Sequence, residues 1–250
     1  MGKEYVMSIE LPDGAKCVRT EVSEESVKVI YTVPENRTIT KLSIEEAFIW
    51  VDFTSIKKSD YEAERKNAKQ ESLRQNILGA IENNRLKGLY VAILEPSVDN
   101  AGDICFVNGV YPAARCSPRW WDENATEFCP ERKSRILSFN EYFMIVAHLI
   151  KNGDVTWKEA AEDSTMKGNF CNSPNSTHRL EKTGTRKCGE FYGFVGNTHK
   201  YVKYNNASWY MLMGGSCHRD GRDNPVADAK TVYHPSNKNC DSVAWLVLEK

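Results

Sequence analysis

The chain has 250 residues, 41% hydrophobic and 27% charged, a balance that argues for a folded globular protein and against wholesale disorder. Lys and Arg number 33 against 34 Asp and Glu, leaving a net charge of -1 with basic residues only in scattered pairs, so the sequence argues against nucleic-acid binding. No run of about 18 apolar residues occurs to span a bilayer, and the opening MGKEYVMSIELPDG lacks the apolar core of a secretion signal.

In chain order, YVMSIEL, AKCVRTEV and SVKVIYTV alternate β-branched and polar residues around the breaks PDG and SEE, which predicts a small antiparallel meander. SIEEAFIWV carries Ser43 and Glu46 at capping-box spacing, followed by residues that favour strand. Residues 59–86 are rich in helix formers. Ser59 and Glu62 form a second capping box, and Leu73, Ile77, Leu78 and Ile81 make an apolar stripe. Together, residues 1–86 are expected to form a small β-plus-helix region that docks to a larger assembly.

After Gly88 the character changes. LYVAILEP and DICFVNGVYPAA predict strands around the turn SVDNAGD, and RCSPRWWDENATEFCPERK reads as a loop-like insertion. SFNEYFMIVAHLIKNG is the strongest helix, with Ser138 and Glu141 as capping box, Phe143, Val146, Ala147 and Ile150 as apolar face, and Gly153 as terminator. Thr156 and Glu159 repeat the signature. From 164 to 240 helix signals vanish, and the chain closes on the apolar strand SVAWLVLEK. An irregular stretch of that length, rich in aromatics, predicts a working surface held by the strands on either side.

Eight cysteines stand at 17, 105, 116, 129, 171, 188, 217 and 240 with no Cys-x-x-Cys pair. Cys171, His178 and Cys188 are spaced unlike zinc modules, so reduced, mostly buried thiols and no metal or other cofactor are expected.

SRILSFNEYFMIVAH, the downstream YMLMGGSCHR and the final VAWLVLE resemble the C-type lectin fold used by formylglycine-generating enzymes and by the variable proteins of diversity-generating retroelements, phage receptor-binding proteins among them. Arg135 to Ser138 stand for the lead, Glu141 and Tyr142 open the helix, and Gly214 to Ser216 form the turn. RILS lacks the family's Pro, and Val243 to Trp245 replace its Gly-Phe-Arg. The resemblance implies an α+β fold: a C-type lectin-like domain over 87–250 with two helices, a small antiparallel sheet and long irregular loops.

It also implies two different functions. In the variable proteins, the stretch before the closing strand is a displayed binding surface. The matching segment 205–240, with the flanking Tyr204, is rich in the Tyr and Asn that suit contact surfaces. The expected ligand residues are Tyr204, Asn206, Trp209, Tyr210, His218, Arg222, Asp223, Asn224 and Tyr233, with Tyr210, Arg222 and Tyr233 exposed over buried Trp209 and Trp245. In the enzymes, a cysteine pair in a Cys-His-Arg-x-x-Cys context holds copper. Cys217, His218 and Arg219 match its first half, but Arg222 stands where the second cysteine belongs. A lone thiolate is a poor Cu(I) site, so Cys217 is expected not to be catalytic.

The leading expectation is thus a non-enzymatic protein that binds a protein or glycan receptor on a cell surface, cytoplasmic or virion-associated before it acts, and compatible with self-association. An oxidoreductase using Cys217 and a structural virion or scaffold protein are the alternatives. The sugar-and-calcium motifs Glu-Pro-Asn and Gln-Pro-Asp are absent.

Overall fold

A computed structural model describes residues 16–22, 27–32, 41–65, 67–204, 209–230, 235–236 and 241–250. β1 (Lys16–Val22) and β2 (Val27–Thr32) pair antiparallel with a register shift between Cys17 and Arg19. They are the second and third strands of the expected meander; the first, 5–11, lies outside the described residues. The chain divides into two units, Met1–Thr40 and Lys41–Lys250. The boundary expected at 86/87 therefore moves to 40/41, because residues 41–86 supply a strand and a helix to the larger unit.

That unit opens with the capping box at Ser43. Its hydroxyl accepts from the Glu46 N–H while the Glu46 carboxylate accepts from the Ser43 N–H, starting α1 (Ile44–Ala47). β3 (Phe48–Asp52) follows directly. The helix expected from Ser59 starts later. α2 (Ala68–Asn83) is capped by Asn67, whose side chain accepts from the N–H groups of Lys69 and Gln70. Before it, Lys58–Asp60 make one 3-10 turn, and buried Tyr61 donates its hydroxyl to the Ala147 carbonyl at 2.8 Å. That long-range anchor, which local propensity cannot reveal, fixes the chain ahead of the helix. Of the expected stripe Leu73 and Ile77 are buried and Leu78 and Ile81 half-buried, and Ala80 is buried beside them.

β4 (Gly88–Ala92) lies antiparallel to β3, and β5 (Ser97–Val98) pairs with β6 (Ile104–Cys105) around the turn at 99–103. The expected loop-like insertion holds α3 (Pro118–Phe128) instead. Ser117 caps it and Pro118 occupies the first position, where a missing N–H is no loss. The Ser-Pro pair was the signal, obscured by the polar run that follows.

β7 (Arg135–Ile136) leads into α4 (Phe139–Lys151), whose capping box at Ser138 and Glu141 is formed as expected. The Glu141 carboxylate also accepts the Arg135 guanidinium at 2.7 and 2.8 Å, a fork that locks the strand to the helix start. Tyr142, Phe143, Val146 and Ala147 are buried and Ile150 is half-buried. α4 packs against α2 and against α5 (Trp157–Ala161), which has its own Thr156 and Glu159 capping box.

The remainder is short strands joined by irregular backbone. β8 (Lys187–Cys188) pairs with β9 (Phe191–Tyr192), followed by β10 (His199–Lys203), β11 (Tyr210–Met213), β12 (Ala229–Lys230), β13 (Ser242–Ala244) and β14 (Leu246–Leu248). One four-stranded sheet has the order β3-β4-β14-β7, all antiparallel; the other has the order β12-β11-β10-β13, parallel only between β10 and β13. The closing apolar run therefore serves both sheets, with fully buried Trp245 at the crossing and its indole N–H on the Ala92 carbonyl at 2.8 Å. The class is α+β: a few helices, small and mainly antiparallel sheets, and long irregular segments, as the sequence led us to expect.

An ion pair ties the sheets together. Glu95, just past β4, accepts from Thr198 Oγ1 and Asn197 Nδ2 at 2.5 Å each and lies 3.3 Å from the Nζ of Lys200 on β10. Lys200 also donates to the carbonyls of Gly196 and Thr198, and its ammonium sits 5.6 Å from the Trp245 ring. Both side chains are 1% exposed. Gly193, at φ 80°, makes room: a Cβ there would lie 2.6 Å from the Glu95 carboxyl. Loss of water raises the Glu95 pKa and pushes Lys200 down to about 8, against the pull of the partner charge.

Removing one member leaves a buried charge unpaired, so Glu95→Ala should cost about 3–5 kcal/mol of unfolding free energy. The paired change Glu95→Gln with Lys200→Met should recover most of it, read by denaturant titration of the single and double variants. A second test uses His199, whose Nδ1 lies 2.7 Å from the Gly214 carbonyl. Burial depresses its pKa from 6.5 to about 4, partly offset by Asp241. Between those values the unfolded chain takes a proton that the folded chain refuses. Stability should therefore fall by about 3 kcal/mol as pH drops from 6.5 to 4, and His199→Gln should flatten that part of the profile.

Candidate ligand-binding site

The nine expected ligand residues do not form one surface. Asn206 and Tyr233 lie outside the described residues. Tyr204 and Trp209 flank the end of the β10–β11 hairpin, joined by the Tyr204 N–H on the Trp209 carbonyl at 3.0 Å, and both are exposed. Arg222 and Asp223 are exposed on a separate turn, where the Arg222 Nε lies 3.4 Å from Asp163. Asn224, expected to contact ligand, is buried at 5% exposure with its N–H on the Asp220 carbonyl. It closes that turn.

Trp209 and Tyr210 do face opposite ways, but in the opposite sense to the one expected. Trp209 is 59% exposed and Tyr210 only 6%. The Tyr210 hydroxyl donates to Asp122 Oδ2 at 2.8 Å, and the same oxygen accepts Lys203 Nζ at 2.8 Å. Burial, then the hydrogen bond to Asp122 and its charge, drives the phenol pKa far up. Asp122 belongs to α3, the helix the sequence had hidden, so the partner that draws Tyr210 inward could not be read locally. Trp245 is buried as expected.

Asp223 and Tyr204 border smaller cavities of about 250 and 290 Å³, and His218 borders a larger one. The cavity, about 670 Å³, is lined by segment 111–116, by Arg179 and Leu180, and by His218. Its volume lies in the range of small-ligand sites. Tyr111 stands 61% exposed at its edge with Lys182 Nζ 6.0 Å from the ring centre.

Each wall is fixed from beneath. Segment 111–116 is tied to the residues after Glu95, with the Ala113 N–H on the Pro96 carbonyl at 3.0 Å and the Ser97 hydroxyl on the Tyr111 carbonyl at 3.2 Å. Asn197, which holds Glu95, organises the rest. Its Oδ1 accepts from the Glu181 N–H at 2.8 Å and from Asn169 Nδ2, which also donates to the Arg179 carbonyl at 2.9 Å. The Asn197 carbonyl accepts the Cys217 N–H at 3.0 Å, setting the backbone just before His218. The buried ion pair and the cleft walls are one hydrogen-bonded assembly.

Cys217 is fully buried and is not among the residues that line the cleft. Arg222, at the position of the missing second cysteine, is on the surface. No disulfide joins any two of Cys105, Cys116, Cys129, Cys171, Cys188 and Cys217, and burial raises the pKa of Cys105, Cys129 and, to about 11, Cys188. Among the described residues no three His, Cys, Asp or Glu side chains cluster as a metal site, and no helix is long and apolar enough to cross a membrane. Sequence reading passed over Tyr111, Arg115, Arg179 and Leu180. They lie on two separate irregular stretches that carry no motif, and only the fold brings them together.

No protein-family model and no curated protein matches the chain. Solved structures similar to it include the following three. CarF shares 13% identity at a TM-score of 0.48, over 67% of this chain and 89% of CarF. PvdO from Pseudomonas aeruginosa shares 9% at 0.44, over 66% of this chain and 81% of PvdO. Variable protein 1 of Treponema denticola shares 11% at 0.34, over 86% and 77%. All three TM-scores lie below 0.5, and the functional reading rests on the site's own geometry.

The inverted pair gives a direct check. Tyr210→Phe leaves the Asp122 carboxylate short of a donor and should destabilise the protein by about 1–2 kcal/mol. Trp209→Ala should stay within about 0.5 kcal/mol of the parent, as exposed substitutions do. Thermal melts of the two variants measure both.

Proposed function

We propose that this chain is a non-enzymatic binding protein and that its ligand or receptor is held in the cleft bordered by Tyr111, Arg115, Arg179, Leu180 and His218. One observation carries the reading. An exposed aromatic and two guanidinium groups without a partner among the described residues stand together on walls that the core holds rigid. Backbone already fixed before contact loses little freedom on binding, which favours the contribution of aromatic and Arg anchors. The burial of Cys217 away from the cleft supports a binding role over an oxidase. Trp209 and Tyr204 at the hairpin end offer a second exposed aromatic edge for a large partner such as a protein or glycan receptor. The N-terminal unit, in this reading, joins the domain to a larger assembly.

Capture from candidate host surfaces, followed by affinity measurement on the isolated partner, tests the proposal. Tyr111→Ala should weaken binding by about thirtyfold, equivalent to about 2 kcal/mol at an interface anchor, with an unchanged melting temperature. Undiminished binding by Tyr111→Ala and by His218→Ala together would show that the partner sits elsewhere.

A further inference from the structure

We propose that the group recognised in this cleft is an oxyanion, a carboxylate or phosphate, carried next to an apolar or aromatic moiety. The inference rests on the cleft being the binding site and adds the chemistry of what enters it.

Most arginines of the larger unit are already engaged. Arg74 pairs with Glu71, Arg135 with Glu141, Arg186 with Glu181 and Arg222 with Asp163. Arg65 and Arg132 lie over the rings of Trp157 and Tyr90. Four others, Arg119, Arg219, Arg115 and Arg179, are exposed and make no side-chain hydrogen bond, ion pair or ring contact among the described residues, and the last two stand apart by their position. Both line the same cleft, whose lining contains no carboxylate. Glu181, the acid nearest in sequence, is occupied by both oxygens at Arg186 Nε, 3.1 and 2.9 Å away. Lys182 adds positive charge at the Tyr111 edge.

A guanidinium offers a planar fork that matches two oxygens of a carboxylate or phosphate, and such charge-assisted pairs are about twice as strong as neutral hydrogen bonds. Two forks in a cleft without a competing acid favour an anion over a cation or a neutral polar group. Apart from His218 and Cys116, the rest of the lining is largely apolar: Tyr111, Pro112, Ala113, Ala114 and Leu180. A ligand that filled the cleft with charge alone would strand that surface, whereas a ring or aliphatic group beside the anion covers it. A volume of about 670 Å³ accommodates both parts.

The test titrates the full chain with phenylacetate, phenyl phosphate and uncharged phenylacetamide, observed by ligand NMR and calorimetry. At least one anion should bind about tenfold or more tightly than the amide, as a charge-assisted contact predicts. Preference for one anion identifies whether carboxylate or phosphate is the source. The double variant Arg115→Gln with Arg179→Gln should lose that advantage with an unchanged melting temperature, and the corresponding Lys pair should retain part of it. Equal affinity for all three probes, abolished by Tyr111→Ala, would overturn the oxyanion while leaving the cleft as the site. Absence of saturable binding by any probe would overturn the proposal. Undiminished anion binding in both Tyr111→Ala and the double Gln variant would overturn the cleft itself.

Discussion

A glutamate and a lysine, both withdrawn from water, join the irregular half of this protein to its sheets. Burying either charge alone would cost several kcal/mol, and their mutual attraction does not by itself offset that. The arrangement holds because the polar atoms around it are also satisfied: Glu95 accepts from Thr198, Asn197 and Lys200, and Lys200 from the other side reaches two backbone carbonyls. An apolar cluster could supply as much stability, but it would tolerate several backbone paths. A network of directed bonds tolerates one, which suits a region with almost no regular secondary structure.

That constraint reaches the surface in few steps. Glu95 is followed at once by Pro96 and Ser97, which anchor one wall of the cleft, and Asn197 passes from the carboxylate to the backbone of both other walls. The side chains that face the cleft are thus presented by backbone whose position was fixed for structural reasons. The two roles separate cleanly by residue. Asn169, Asn197 and Thr198 are buried and bond inward, while Tyr111, Arg115, Arg179 and His218 project outward.

The same separation governs the hairpin. Trp209 and Tyr210 are neighbours of similar size, either able to sit inside. Tyr210 goes in because its hydroxyl finds the Asp122 carboxylate, where Lys203 also ends. An indole N–H at position 209 would have to reach the same acid from the opposite face of the strand, which extended backbone does not allow.

The sequence by itself determined the elements whose causes are local. Capping boxes at Ser43, Ser138 and Thr156 start helices where they were read, because the cap and its partner are three residues apart. The stripes of α2 and α4 named Leu73, Ile77, Phe143, Val146 and Ala147 as buried, with Leu78, Ile81 and Ile150 at the half-buried edge, and Trp245 was legible as core from an unbroken apolar run. The tertiary structure decided everything that depended on a distant partner. It delayed α2 until after Tyr61 had reached Ala147, drew Tyr210 inward rather than Trp209, and moved the unit boundary to 40/41 by pairing β3 with β4. The cleft belongs to this second group. Its residues run from Tyr111 to His218, its walls share no motif, and what unites them is a buried acid whose partners no local pattern announces.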